Sequence, residues 1–210
     1  MTRSFIVIAL FITFLFSCKD KTAKKEKELS RVTKDSEFAS NKDSVLLRLT
    51  NDILKEIKNK NYSALANFID PVSGIRFSPY GLIDTVSHMV FSKEKFVEEI
   101  TRAKQNKFHW GAFDGSGEPI NMTLNEYMQK FVYDVDFVRP EKQKANGFIG
   151  GGNSLNNLLA VYRGCDFTES HFSGFEKKYG GMDWRSLRLV FKETNGKFWL
   201  VGIVHDQWTI

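Results

Sequence analysis

Leu187-Arg-Leu-Val-Phe-Lys-Glu193 and Lys197 to His205 (KFWLVGIVH) flank Asn195-Gly196, and this stretch decides the fold. Asn-Gly tolerates the positive φ angles of a two-residue turn whose twist matches the strands on either side. The spacing therefore predicts an antiparallel hairpin with residues paired at equal distance from the turn. Lys192 then faces Trp199, Phe191 faces Leu200 and Leu187 faces Val204; further out, Arg185 faces Asp206 and Asp183 faces Trp208. Alternation places Leu187, Leu189, Phe191, Leu200 and Val204 on one face, and Arg185, Asp206, Asp183 and Trp208 continue it. An apolar face running into a charged mouth with one indole is where a pocket is expected. The second run is apolar on both faces, so it reads as a central strand.

Upstream, apolar residues recur at helical spacing over Ser44 to Lys58, with charged and amide residues opposite. Asn61 is placed to cap a second short helix to Ile69, and Pro71 stops it. Gly74 to Tyr80 and Met89 to Phe91 read as extended. Ser92 caps a helix from Lys93, and Thr123-Leu-Asn-Glu126 is a capping box before another. Phe108 to Phe113 is strand-like, Asp114 to Pro119 a tight turn, and Pro140 to Gly152 a loop. Asn153 or Ser154 opens a short helical piece, and Asp166 to Phe172 is a further strand. Helices precede the long antiparallel strands, so the class is α+β rather than alternating βαβ. The pattern over about residues 43–210, N-terminal helices packed on a curved antiparallel sheet, resembles the nuclear transport factor 2-like (cystatin-like) cone.

The amino terminus reads as an address. Arg3 precedes an apolar run, Phe5 to Phe16. Twelve residues span roughly 18 Å as a helix, short of a hydrocarbon core of about 30 Å, which favours a signal peptide over a membrane span. Leu15-Phe16-Ser17-Cys18 resembles the lipobox of bacterial lipoproteins. The resemblance implies cleavage after Ser17 and acylation of Cys18, for example by palmitate. The expected organisation is a signal peptide over 1–17, a lipidated Cys18 with a basic tether over 18–42, and one α+β domain over 43–210. The expected location is the bacterial cell envelope, on a membrane through the lipid, facing the periplasm or the exterior.

Charge narrows the partners. The chain carries 30 Lys+Arg against 25 Asp+Glu, but the excess lies in Arg3 and the tether, and the body is balanced. A balanced body lacks the basic face that nucleic-acid binding needs. Of the two cysteines only Cys165 lies in the body, so no disulfide framework or Cys-based metal site is expected. His88, His109, His171 and His205 have no zinc spacing, and no cofactor motif is present. The turn Asp114-Gly-Ser-Gly-Glu118 lacks the remaining ligands of a calcium loop.

The strings GIRFSPYG (74–81), WGAFDGSGEPI (110–120), EYMQKFVYDVDF (126–137), GGMDWRSLRLVF (180–191) and LVGIVHDQWTI (200–210) are similar to a family of uncharacterised bacterial envelope lipoproteins. That similarity implies a location and a common fold, and assigns no activity or site residue.

Two constellations are candidates. Arg185, Asp206, Asp183 and Trp208 make either a ligand site, with Arg185 anchoring an anion, or a structural ion pair at the end of the core. Glu169 and His171 share a strand face two residues apart, as an acid–base pair or a surface pair. The expected function is a binding module for a small ligand or an envelope component such as a glycan, rather than an enzyme. The rivals are an acid–base hydrolase, isomerase or dehydratase, and a protein-interaction module.

Overall fold

The Asn195-Gly196 turn sits at the tip of the longest hairpin in the computed structural model, which describes residues 41–151 and 155–209. Both turn residues have positive φ, 53° and 73°. They join β7 (Arg185–Thr194) to β8 (Lys197–Gln207), the last two of eight strands among the described residues. The others are β1 (Ile75–Ser78), β2 (Val90–Phe91), β3 (Lys107–Ala112), β4 (Pro119–Thr123), β5 (Lys142–Ala145) and β6 (Asp166–Phe172). Six form one sheet in the order β2-β1-β8-β7-β6-β5, antiparallel except where β1 runs parallel to β8. β8 is interior, as its two apolar faces require. β3 and β4 form a separate hairpin. Its Asp114–Glu118 connection is the expected tight turn, closed by Phe113 N–H to the Glu118 carbonyl at 2.8 Å and Gly117 N–H to the Phe113 carbonyl at 2.9 Å.

The helices are α1 (41–58), α2 (Tyr62–Leu65, continued by a 3-10 turn over Ala66–Phe68), α3 (Lys93–Thr101), α4 (Leu124–Tyr127, continued by a π turn over Met128–Val132) and α5 (Leu158–Val161). The class is thus α+β with a mainly antiparallel sheet. The helices are spread along the chain rather than confined to its amino-terminal part. Ser92 Oγ accepts the Lys95 N–H, and Thr123 and Glu126 complete the capping box, so both sequence signals act as read. Asn61 stands at the start of α2, but its side chain makes no capping bond. β5 replaces part of the loop expected over Pro140 to Gly152. Lys142-Gln-Lys-Ala145 has no apolar alternation because it is a sheet edge, where lysines suit an unpaired rim. Asn153 and Ser154, read as helix openers, lie outside the described residues, as do Cys18 and its flanking segments.

The hairpin register departs from the prediction at one point. Phe191 pairs with Leu200 as expected, but Val190 pairs with Gly202, leaving Val201 as an extra residue on β8. Beyond this bulge every pairing shifts by one. Leu187 faces His205 instead of Val204, Ser186 faces Asp206, and Arg185 faces Gln207. Leu187, Leu189, Phe191 and Leu200 share one face as expected, but Ile203 takes the place expected for Val204, in the main core with α1 and the rings of Phe77, Trp110, Tyr127 and Phe131. Val190, Val201 and Val204 turn to the other face and pack with Ile83, Leu158 and Phe167. Both faces of the sheet are therefore covered.

Candidate functional site

The bulge separates the four residues expected at one mouth. Arg185 stays on the main-core face and Asp206 goes to the other, so the predicted Arg185–Asp206 pair is corrected: the two do not meet. Arg185 Nε instead donates to Asp134 Oδ2 at 2.9 Å, and its Nη1 donates to the carbonyls of Asp183 (3.3 Å) and Trp184 (2.9 Å). Asp134 Oδ2 also lies 3.4 Å from His205 Nε2, and His205 Nδ1 faces the Pro79 carbonyl at 3.1 Å. Burial works to raise the Asp134 carboxyl. Hydrogen bonding and positive charge from His205 and Arg185 outweigh it and hold the carboxyl below its ordinary value. Asp134 follows the π turn in an irregular segment, where no periodic signal marks it in the sequence.

Three of the four predicted residues do share a wall. Asp183, Arg185 and Trp208, with Tyr179, Met182 and Gln207, line an open hollow of about 390 Å³. Trp208, Tyr179 and Met182 are all exposed around it. Asp183 organises the adjoining loop, because its Oδ2 accepts the N–H groups of Phe175 (3.0 Å) and Glu176 (2.8 Å).

Asp206, Glu169 and His171 belong to a different assembly, on the opposite face under the 146–151 loop. Its centre is Arg188, which is fully buried. Arg188 Nη1 reaches Asp206 Oδ2 at 2.8 Å, and Nε reaches Glu169 Oε2 at 3.1 Å. Glu169 also accepts the N–H groups of Ile149 (3.0 Å) and Gly150 (2.9 Å) and the Ser186 hydroxyl (2.5 Å). The Phe148 ring covers the guanidinium at 5.1 Å. His171 Nδ1 lies 2.8 Å from Ser186 Oγ. Because Ser186 donates its only proton to Glu169, Nδ1 must be the donor to Ser186. Burial, opposed by Glu169 and Glu141, holds the His171 pKa below its ordinary value, so the ring is neutral at pH 7. Glu169 and His171 thus share a face as predicted, but Ser186 stands between them. The hub, Arg188, was not singled out from the sequence. In a run of Leu, Val and Phe, one arginine at an inward position is itself the signal that a buried partner awaits it.

A second hollow, of about 510 Å³, is lined by Tyr80, Asp84, His88, Gly111, Asp114 and Leu155, among others. His88 Nδ1 accepts the Asp84 N–H at 3.1 Å and lies 3.0 Å from Ser78 Oγ. Burial lowers its pKa from 6.5 to about 4, against the opposing charge of Asp84. A histidine depressed in the folded state binds its proton more readily when unfolded, so its contribution holds above pH 6.5 and is lost as pH falls toward 4. Stability should therefore drop by about 1.5 kcal/mol between pH 7.5 and 5, allowing for partial solvent contact. Urea midpoints at the two pH values check this, and His88→Asn should flatten the difference.

Among the described residues, no three or more His, Cys, Asp or Glu side chains gather to hold a metal ion. Nor, among them, is any helix long and apolar enough to cross a membrane. The chain matches no family model, no curated protein and no solved structure.

Proposed function

We propose that this chain is a lipid-anchored cell-envelope binding module. In this reading its folded part is a nuclear transport factor 2-like cone, and it holds an envelope glycan at the hollow of Tyr179, Asp183, Arg185 and Trp208. The observation that carries the reading is the exposed ring of Trp208 beside a half-buried, oriented guanidinium. A sugar offers a flat apolar face to an indole and hydroxyl acceptors to an arginine, and this hollow presents both. The interior of the main core is occupied by packed rings, which favours a site at the rim over a chamber inside. Cys18 and the run before it support the anchor.

The glycan reading is tested by titrating N-acetylglucosamine oligosaccharides into the full-length chain and following indole fluorescence. A saturable change is expected, weakened about fivefold or more in Trp208→Ala. Binding unaltered by that substitution, or no saturable change, rejects the site. Palmitate labelling, present in the parent chain and absent from Cys18→Ala, tests the anchor separately.

One observation favours a second reading, the acid–base enzyme. Glu169, Ser186 and His171 form a hydrogen-bonded chain, with imidazole Nε2 as its outer end. Such a chain orients a neutral imidazole as a general base. Neither Glu169 nor His171 lines the two hollows described above, and this ranks the enzyme reading second.

A further inference from the structure

The second face of the sheet carries a small cavity away from both hollows. It measures about 170 Å³ and is walled by Ser73, Arg76, Val90, Tyr162, Cys165, Lys192 and Val201. Its existence follows from the bulge. Val201 and Gly202 lie on this face, and Arg76 on β1 pairs with Gly202. Lys192 reaches the same space from β7. Glycine between the two cations leaves room for the Tyr162 phenol: a Cβ at 202 would lie 2.4 Å from its hydroxyl oxygen.

The polar inventory of this cavity is unbalanced. Arg76 Nη1 donates to two backbone carbonyls, Thr85 at 3.2 Å and His88 at 3.0 Å. Lys192 Nζ donates one hydrogen bond among the described residues, to Ser73 Oγ at 3.5 Å, and its charge acts on Asp70. Among the described residues, neither cation has a carboxylate within 4.0 Å. The nearby Asp70 Oδ1 is taken by the N–H groups of Val72 (2.8 Å) and Ser73 (2.6 Å) and by the Ser73 hydroxyl (3.0 Å). The Tyr162 hydroxyl is buried beside the Arg76 side chain and, among the described residues, makes no well-formed hydrogen bond. Two like charges and a buried O–H thus converge on one small space, with Asp70 as the nearest opposing charge on Lys192. One guest with several acceptor oxygens and negative charge would answer all three.

We propose that this cavity binds a single tetrahedral oxyanion group, a phosphate or the phosphoryl head of an ester, between Arg76, Lys192 and Tyr162. Arg76 retains Nε and Nη2 for a two-pronged contact, Lys192 supplies a point charge, and Tyr162 donates its O–H. Burial pushes the Tyr162 phenol up to about 12, so it remains a donor at neutral pH. Burial also raises the Cys165 thiol, which therefore stays neutral and does not repel the guest. The cavity volume suits one such group and excludes a whole nucleotide.

Calorimetric titration of the full-length chain with inorganic phosphate, and separately with glycerol 3-phosphate, tests the proposal. One saturable site per chain is expected, with Kd below about 1 mM. Arg76→Gln and Lys192→Gln should each weaken it about tenfold. Tyr162→Phe keeps the ring and removes the O–H, so it should weaken the anion severalfold. Trp208→Ala should leave it unchanged, which keeps this site separable from the glycan reading. Tighter binding of the ester assigns the site to an esterified headgroup; equal or tighter binding of phosphate assigns it to the free anion. No saturable binding of either ligand up to about 10 mM, or binding that survives Arg76→Gln with Lys192→Gln, overturns the proposal.

Discussion

Arg188→Met should cost about 3–5 kcal/mol of folding stability, the largest loss expected from any single charge removal in this chain. The side chain is fully buried, and so are Glu169 and Asp206, which it joins. A charge removed from water is tolerable only when a partner and hydrogen bonds compensate it. Methionine retains the bulk and removes the guanidinium, so two buried carboxylates lose the cation they share. Glu169 keeps its bonds from Ile149, Gly150 and Ser186. Those bonds hold it in place and do not neutralise it. A domain of this size has about 5–15 kcal/mol in all, so the variant should be partly unfolded at 37 °C. Urea denaturation measures the loss. Adding Glu169→Gln and Asp206→Asn should restore most of it, because the penalty comes from buried negative charge that has lost its shared cation and not from lost volume. Failure of that rescue would mean that Arg188 acts mainly through packing against Phe148.

The same network shows how far the sequence could be read. Asn195-Gly196 fixed the turn, and the apolar runs fixed two long strands. The pairing could be followed only as far as Phe191 and Leu200. The Val201 bulge leaves only one local sign, Gly202 inside an otherwise apolar strand, and Leu200-Val-Gly-Ile203 is a good strand with or without an extra residue. The bulge is decided by what each face must bury. With it, Ile203 joins Leu189 in the main core, while Val204 joins Val190 beneath α5. Without it, Arg188 and Asp206 would fall on opposite faces, each without its present partner. A tertiary requirement thus overrode the simplest register. The capping signals at Ser92 and Thr123 were legible because each rests on a few adjacent residues. Asp134 and Arg188 meet partners far along the chain, and only the folded arrangement reveals them. β5 was illegible for the opposite reason. Its pairing with β6 uses backbone groups, and its side chains carry no pattern that distinguishes strand from loop.

Trp110→Ala should cost about 3–5 kcal/mol and leave an apolar void that a small aromatic refills. Trp110 is fully buried. Its ring stacks on Tyr127 at 4.0 Å and meets Phe77 edge-on at 6.0 Å. Its Nε1–H donates to the Met122 carbonyl at 2.9 Å, so truncation also strands a backbone acceptor. Tyr127→Phe is the matched control. The Tyr127 hydroxyl is buried without a hydrogen-bond partner, so its removal should leave stability unchanged or slightly raised. The contrast bears on function. If the space around Trp110 served as a chamber for a natural ligand, emptying it would improve binding at small expense to the fold. If it is packing, Trp110→Ala should unfold early in urea, and saturating indole should restore part of the lost midpoint. The ring geometry favours the second outcome. Five rings, Phe77, Phe91, Phe96, Trp110 and Tyr127, are joined by successive contacts of 6.2 Å or less across three strands and two helices, an arrangement that leaves recognition to the surface around Trp208.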